Sequence, residues 1–129
     1  MSNKIYTDDY GRQYDPPIPQ VEITISRLQG QNGLTLTAIV DSGADATIIP
    51  IAYLRRIGAQ RGEKRWLRGM TADRRRVTLY PVFLQLGPFH FYLLVVGDDL
   101  YDEPIIGRDV LNHLIVTLNG LANVVEISQ

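Results

Sequence analysis

Hydrophobic and polar residues alternate along most of this chain, which is typical of β-strands with one buried face. Val21–Arg27 and Leu34–Val40 both alternate in this way, and Gly30–Gly33 between them contains Asn-Gly, a strong hairpin signal. Two more β segments are predicted within Arg65–Leu86, on either side of a polar bend, and Phe89–Val96 is a long apolar strand. The pattern therefore predicts a mainly β fold.

Two short segments have helical spacing instead. The apolar residues of Pro50–Ile57 fall on one helical face, and Gly58 follows in the position of a C-terminal cap. A second short helix is predicted over Arg108–Leu114, after an acidic loop at Gly97–Glu103 and a short apolar strand. A final hairpin is predicted within Ile115–Ile127, around an Asn-Gly turn.

The first part of the chain has a different character. Residues 1–20 are polar, and Asp15–Pro19 contains three prolines, which remove amide donors and favour extended backbone. The expected organisation is an extended arm over residues 1–20 and one domain over residues 21–129. We also expect residues 1–16 to be dispensable for folding.

The composition of the chain excludes several classes of chemistry. The chain has 129 residues, no cysteine and a net charge of −1, so thiol chemistry and thiolate metal sites are excluded and no overall field favours nucleic acid. His90 and His113 do not form a His-x-x-x-His pair, and we expect no metal. There is no Gly-x-Gly-x-x-Gly, no signal peptide and no membrane-spanning run, so we expect no cofactor, no membrane partner and a cytoplasmic location.

One stretch, Asp41–Ile48 (DSGADATI, the first motif), carries the candidate chemistry. An apolar strand ends there in an acid, a small hydroxyl residue and a glycine. A tight turn at Gly43 can direct backbone amides toward the Asp41 carboxylate. The alternative is a strand end capped by a polar turn. Ser42 lies outside any Gly-x-Ser-x-Gly elbow, which argues against a serine hydrolase.

A second stretch, Ile105–Asp109 (IIGRD, the second motif), places a glycine and a charged pair between an apolar strand and a helix. By itself it is also typical of an ordinary strand-to-helix turn with a solvated arginine. Together, the two motifs resemble the signatures of the retropepsin family, the aspartic peptidases of retroviruses and their cellular and bacterial relatives. The resemblance covers residues 21–127, and the helix after Pro50 is similar to stand-alone bacterial members.

The resemblance implies a retropepsin-like acid protease half-barrel with two short helices, assembled as a two-fold homodimer. Asp41 would be the catalytic carboxylate, in an active-site loop with Ser42, Gly43 and Ala44. Ser42 would bond across the dimer, and Gly43 would lie against the substrate backbone.

The same resemblance assigns supporting residues. Asp45 would bind substrate main chain and form a partly buried pair with Arg108, which braces the loop, while Gly107 would pack beneath it. Family members close a flap over the substrate. The corresponding hairpin here is Trp66–Tyr80, with Gly69, Met70 and Thr71 near its tip.

The mechanism implied by the resemblance needs two neighbouring carboxylates that share one proton. The chain has one Asp-Ser-Gly, so the pair must come from two chains. The expected function is an aspartic endopeptidase acting on a peptide or protein substrate. The alternative is a catalytically silent retropepsin-like dimer that acts as a peptide-binding module.

A basic segment is the remaining feature. Seven of the 13 lysines and arginines lie within residues 61–76. They indicate either a solvated outer face of a hairpin, which we favour, or a contact with an anionic substrate or nucleic acid. The acidic loop after Gly97 is a candidate neutralising partner, and we expect no nucleic-acid partner.

Overall fold

The structure, a computed structural model, describes residues 5–68, 74–100 and 102–129, and within them the chain forms ten strands and two short helices. In chain order the strands are β1 (Tyr6–Asp9), β2 (Gln20–Ser26), β3 (Leu34–Val40), β4 (Ile48–Pro50), β5 (Lys64–Arg68), β6 (Arg74–Leu86), β7 (Phe89–Asp98), β8 (Ile105–Ile106), β9 (Ile115–Asn119) and β10 (Val124–Ser128). Helix α1 (Ile51–Arg56) follows β4, and helix α2 (Arg108–Leu111) follows β8. The prediction of a mainly β domain with two short helices is confirmed.

Seven strands form a sheet in the order β2, β3, β8, β4, β7, β6 and β5. Strand β2 pairs with β6 as well as with β3, so the sheet closes into a small barrel with β5 outside it. Most neighbours are antiparallel, but β8 lies parallel to β3, and β4 lies parallel to β7. The β3–β8 pairing brings the strand that leads into the first motif beside the strand that begins the second.

The barrel interior is a single aliphatic core. Side chains from four strands, among them Ile23, Leu84, Val95 and Ile106, are at most 1% exposed. Each contributes about 1.5–3 kcal/mol by leaving water. The strands alternate as the sequence pattern predicts, because successive residues point to opposite faces.

A second, smaller cluster lies next to the first motif. It consists of the buried side chains of Val77, Leu79 and Val96, on which Ala46 and Ile48 pack. This cluster joins the β6–β7 ribbon to the end of the active-site loop.

The N-terminal segment differs from the predicted arm. Strand β1 pairs antiparallel with β10, and the amide of Tyr10 donates to the carbonyl of Asn123 over 2.8 Å. The Tyr6 ring lies against Gly87, where an added Cβ would meet it at 2.5 Å. Burial and then the neighbouring Asp8 raise the pKa of Tyr6 to about 12. This part of the predicted arm is thus an edge strand of a sheet. Because its residues are mostly polar, the hydrophobic pattern of the sequence does not predict a strand there.

Two other boundaries also differ from the prediction, and one agrees with it. Strand β7 continues to Asp98, which is 2% exposed and pairs with Arg75, so the acidic loop begins later than predicted. Helix α2 ends at Leu111 instead of Leu114, because 112–114 continue only as turns before β9. Helix α1 ends as predicted: Gly58 has a φ of +72°, and its amide donates to the carbonyl of Arg55.

The chain end completes a separate sheet. Strand β10 lies between β1 and β9, and all three are antiparallel. Val125 and Ile127 of β10 are at most 1% exposed and belong to the barrel core. The residues beyond Asn119 are therefore a structural part of the domain. Strand β9 is left at the edge of this sheet.

Candidate active site

Asp41 lies directly after β3, at the point where the strand leaves the barrel. Its amide donates to the carbonyl of Ile106 over 3.0 Å, and Val40 pairs with the same residue. The strand end is thus fixed by β8, while the Asp41 side chain is partly exposed. This position presents a carboxylate at the surface on a rigid support.

The turn after Asp41 holds its carboxylate from one side. The amide of Gly43 donates to Oδ1 of Asp41 over 2.9 Å, and the amide of Ala44 donates to the Asp41 carbonyl over 3.2 Å. A Cβ at Gly43 would lie 3.1 Å from Oδ1, so a side chain there would crowd the carboxylate. Ser42 and Gly43, which form the outer part of this turn, are both exposed.

The second motif lies directly beneath this turn. The amide of Arg108 donates to the carbonyl of Ala44 over 2.9 Å. A Cβ added at Gly107 would lie 2.6 Å from the Ala46 carbonyl group, closer than real Cβ atoms approach. Glycine at 107 is therefore required for the two motifs to pack this closely, in keeping with its predicted place beneath the loop.

A hydrogen-bond network that the sequence analysis did not assign joins the motifs. The Thr47 hydroxyl donates to Oδ1 of Asp109 over 2.7 Å, and the Thr47 amide donates to Oδ2 over 2.9 Å. The same hydroxyl accepts the Gly107 amide over 3.2 Å, and Thr47 is completely buried. Both residues stand within the quoted motifs, but only the structure shows that they bond to each other.

Arg108 contacts the outside of the loop. One guanidinium nitrogen donates to the Ser42 carbonyl over 2.8 Å, and another donates to Asp45. The structure thus brings Arg108 and Asp45 together. However, the Asp45 side chain is 53% exposed and that of Arg108 is 41% exposed, so the pair lies at the surface and is only about half buried. Water screens such a pair, and its contribution is small.

The predicted flap lies only partly within the described residues. Strands β5 and β6 form the base of the hairpin, where Trp66 pairs with Arg76. Gly69, Met70 and Thr71 lie outside the described residues.

In the part of the chain that the structure describes, no group of three or more histidine, cysteine or acidic side chains is placed to hold a metal ion. Within the same residues, no helix is long and apolar enough to cross a membrane.

Comparison with known proteins gives a consistent picture. The family described as "gag-polyprotein putative aspartyl protease" matches residues 30–113, which include both motifs. A search of curated proteins gave no match.

Solved structures share the fold. A retropepsin-like aspartic protease from Rickettsia conorii aligns over 99% of this chain and 94% of its own, with 11% identity and a TM-score of 0.63. The EIAV protease, in complex with the inhibitor HBY-793, aligns over 74% and 86%, with 23% identity and a TM-score of 0.57. The protease of simian foamy virus (mac) aligns over 72% and 91%, with 18% identity and a TM-score of 0.52.

Proposed function

This chain belongs to the family of gag-polyprotein aspartyl proteases, and we propose that it is an endopeptidase that uses two Asp41 carboxylates, one from each subunit of a homodimer. One observation carries the proposal. The Asp41 carboxylate stands at the surface in a turn that the Gly43 amide and the second motif hold in place. A carboxylate fixed in this way can act on a substrate without first being ordered.

The two Asp41 carboxylates would supply the general base and the general acid that the reaction needs. Two carboxylates in close contact share one proton, because both cannot ionise at low cost. The ionised Asp41 takes a proton from water as the water oxygen bonds to the peptide carbonyl carbon. The protonated Asp41 gives its proton to the carbonyl oxygen. The tetrahedral intermediate then breaks its carbon–nitrogen bond: the Asp41 that took the water proton gives it to the amine nitrogen, and the other Asp41 takes back a hydroxyl proton from the intermediate as the carboxylic acid product forms.

The dimer follows from the number of carboxylates available. The sequence has a single Asp-Ser-Gly, and the exposed Ser42 and Gly43 leave the turn free to meet its copy. Such a contact is two-fold and isologous, so each turn faces the same turn of the second chain. In this arrangement Ser42 bonds across the interface and Asp45 binds substrate main chain, the roles that the family resemblance implies.

The edge strand β9 supports an interface between copies. Strand β9 has β10 on one side only. Its residues Ile115 and Leu118 are 59% and 53% exposed, and Leu121 in the following turn is fully exposed. An uncovered edge with large apolar side chains favours pairing with another strand. A second copy at this edge would cover these residues.

The decisive experiment compares wild type with Asp41→Asn on a mixed peptide library. We expect cleavage by wild type and a loss of at least about 10²–10⁴-fold in the variant, because the dyad acts as both acid and base. Asp9→Asn, an exposed aspartate on β1, is the matched control and should cleave normally. Peptide binding without cleavage by wild type would instead support the silent binding module.

Dilution tests the dimer separately. Activity per mole of chain should fall in parallel with the dimer fraction measured by sedimentation over the same concentrations. Excess Asp41→Asn chains should inhibit wild type, because a mixed dimer has one ionisable Asp41. A fully active monomer, or mixed dimers as fast as wild type, would refute the two-chain mechanism and leave the fold unaffected.

A further inference from the structure

A groove of about 540 Å³ lies away from the Asp41 turn, and no residue of either motif lines it. Its walls come from helix α1, from the segment that leads into β5, from the first half of β6, and from the end of β7 with the following loop. The groove therefore lies between the base of the predicted flap hairpin and the body of the barrel.

The floor of the groove is apolar and well supported. At Gly97 an added Cβ would lie 2.4 Å from the Tyr80 ring and 3.3 Å from Ile51, so glycine allows both side chains to pack against β7. The amide of Gly62 donates to the Leu79 carbonyl over 2.7 Å, which fixes the segment that carries Arg61. Side-chain packing at Gly97 and a backbone hydrogen bond at Gly62 thus fix two parts of the groove wall.

The rim is strongly positive. Four arginines and one aspartate line the groove: Arg55, Arg61, Arg75, Arg76 and Asp99. Arg75 is held by a 2.9 Å contact with Asp98, whose side chain is 1% exposed. Arg55, Arg61 and Arg76 are exposed, and they form no ion pair with any residue that the structure describes. Three guanidinium groups are therefore available to a ligand.

The groove is also connected to the proposed active site. Val77 lines the groove and packs in the small cluster on which Ala46 and Ile48 of the first motif lie. A ligand in the groove therefore sits one layer of side chains from the active-site loop. A peptide that occupies the active site could extend to this distance.

We propose that this groove binds an acidic peptide segment, and that such a segment in a substrate recruits it to the peptidase. Guanidinium groups pair with carboxylates through two parallel hydrogen bonds, and clustered arginines recognise acidic motifs in peptides. The apolar floor suits the methylene groups of glutamate. The recruitment step rests on the proposed peptidase function, whereas the binding step does not.

A peptide fits this surface better than a nucleic acid does. Proteins that bind single strands use aromatic side chains on which bases stack. Among the described residues that line the groove, the aromatic one is Tyr80, which is 7% exposed and belongs to the core. Asp99 on the rim and the exposed Asp102, which lines an adjoining pocket together with Arg55 and Asp99, repel a continuous phosphate backbone. A short peptide can place its carboxylates between the arginines and avoid these acids.

Binding is tested in the Asp41→Asn background, so that cleavage does not interfere. A fluorescent eight-residue glutamate peptide is titrated at low salt, with a glutamine peptide and an eight-nucleotide thymidine strand as comparisons. Arg55→Gln, Arg61→Gln and Arg76→Gln should each weaken binding of the glutamate peptide by about three- to tenfold. Arg56→Gln is the matched control, because it removes the same charge from the same helix outside the groove.

Several results would overturn the binding proposal. These are equal effects of Arg55→Gln and Arg56→Gln, equal affinity for the glutamine peptide, or tighter binding of the thymidine strand. Absence of binding at millimolar peptide would also overturn it. Thermal unfolding of each variant checks the fold, which should be unchanged because the three arginines are exposed.

Recruitment is tested with wild-type Asp41 and a cleavable peptide, with and without a glutamate tail. The tail should lower KM and leave kcat unchanged, and Arg55→Gln should remove this advantage. If the protein binds the tail but cleaves nothing, the proposal that the groove binds an acidic peptide is supported and the peptidase proposal is refuted. If the protein cleaves the peptides with and without the tail at the same KM, the peptidase proposal is supported and the recruitment proposal is refuted.

Discussion

The network between Thr47 and Asp109, and not the Arg108–Asp45 pair, should carry most of the stability of the active-site loop. The test is to replace each partner in turn. Thr47→Val keeps the shape of a fully buried side chain but removes its hydroxyl. The buried Gly107 amide then loses its acceptor at 3.2 Å, and Oδ1 of Asp109 loses its donor at 2.7 Å.

The expected change in the free energy of unfolding follows from the loss of these two hydrogen bonds. An unsatisfied buried amide costs about 1–3 kcal/mol, and a hydrogen bond to a charged group contributes about 1.5–3 kcal/mol. With partial relaxation, Thr47→Val should lower the free energy of unfolding by about 2–4 kcal/mol. Asp109→Ala removes both acceptors of Thr47 and should cost at least as much. Either loss is large against a total of about 5–15 kcal/mol for a domain.

Arg108→Ala is the comparison within the same motif. Its pair with Asp45 is half exposed, so the expected cost is about 1 kcal/mol or less. The assay is urea unfolding of the three single variants and of Thr47→Val with Asp109→Ala. Because these two residues touch, their effects should be non-additive by about 1–2 kcal/mol. Their peptidase rates should also fall more than that of Arg108→Ala.

The reasoning would be refuted by two outcomes. One is Asp109→Ala with a stability within about 0.5 kcal/mol of wild type, which is the range of ordinary surface substitutions. The other is Arg108→Ala as destabilising as Asp109→Ala, which would mean that the ion pair is shielded from water in solution.

Three further predictions address other parts of the fold. Gly107→Ala should cost about 1–3 kcal/mol and reduce activity, because its Cβ would meet the Ala46 carbonyl at 2.6 Å; a wild-type urea midpoint would contradict this. Deletion of residues 1–9 should lower the urea midpoint, because it removes β1 from its sheet; an unchanged midpoint would restore the arm interpretation. Stability should fall between pH 10 and about 12, since folded Tyr6 keeps its proton above its unfolded pKa; Tyr6→Phe should weaken this fall in thermal unfolding.

Local patterns in the sequence predicted much of the barrel. Strand β3 has the predicted bounds, and α1 ends before Gly58, because alternation and a positive-φ glycine are properties of a few neighbouring residues. The pairing of Arg108 with Asp45 was also predicted, from the family resemblance. Its degree of exposure was not, because burial depends on what else packs around both residues.

The missed features depend on contacts between distant segments. Strand β1 is polar, and it becomes part of the domain through its pairing with β10, the contact of Tyr6 with Gly87 and the hydrogen bond from the Glu22 amide to Asp8. Thr47 and Asp109 are 62 positions apart, and nothing local marks one as the partner of the other. The arginine and aspartate of the Arg108–Asp45 pair are easily recognised in a sequence as a possible ion pair. The threonine and aspartate of the Thr47–Asp109 pair are not, although Thr47 is the buried residue.

The location of these contacts bears on how the site is assembled. The Asp41 turn has hydrogen-bond partners nearby in its own chain, at Gly43, Ile106 and Arg108. Among the residues that the structure describes, no buried side-chain polar atom lacks a partner. These contacts can hold the carboxylate in place without a contribution from a second copy. In the proposed dimer, pairing would add the second carboxylate to an ordered turn, so the entropy cost of ordering that turn would not weaken the dimer.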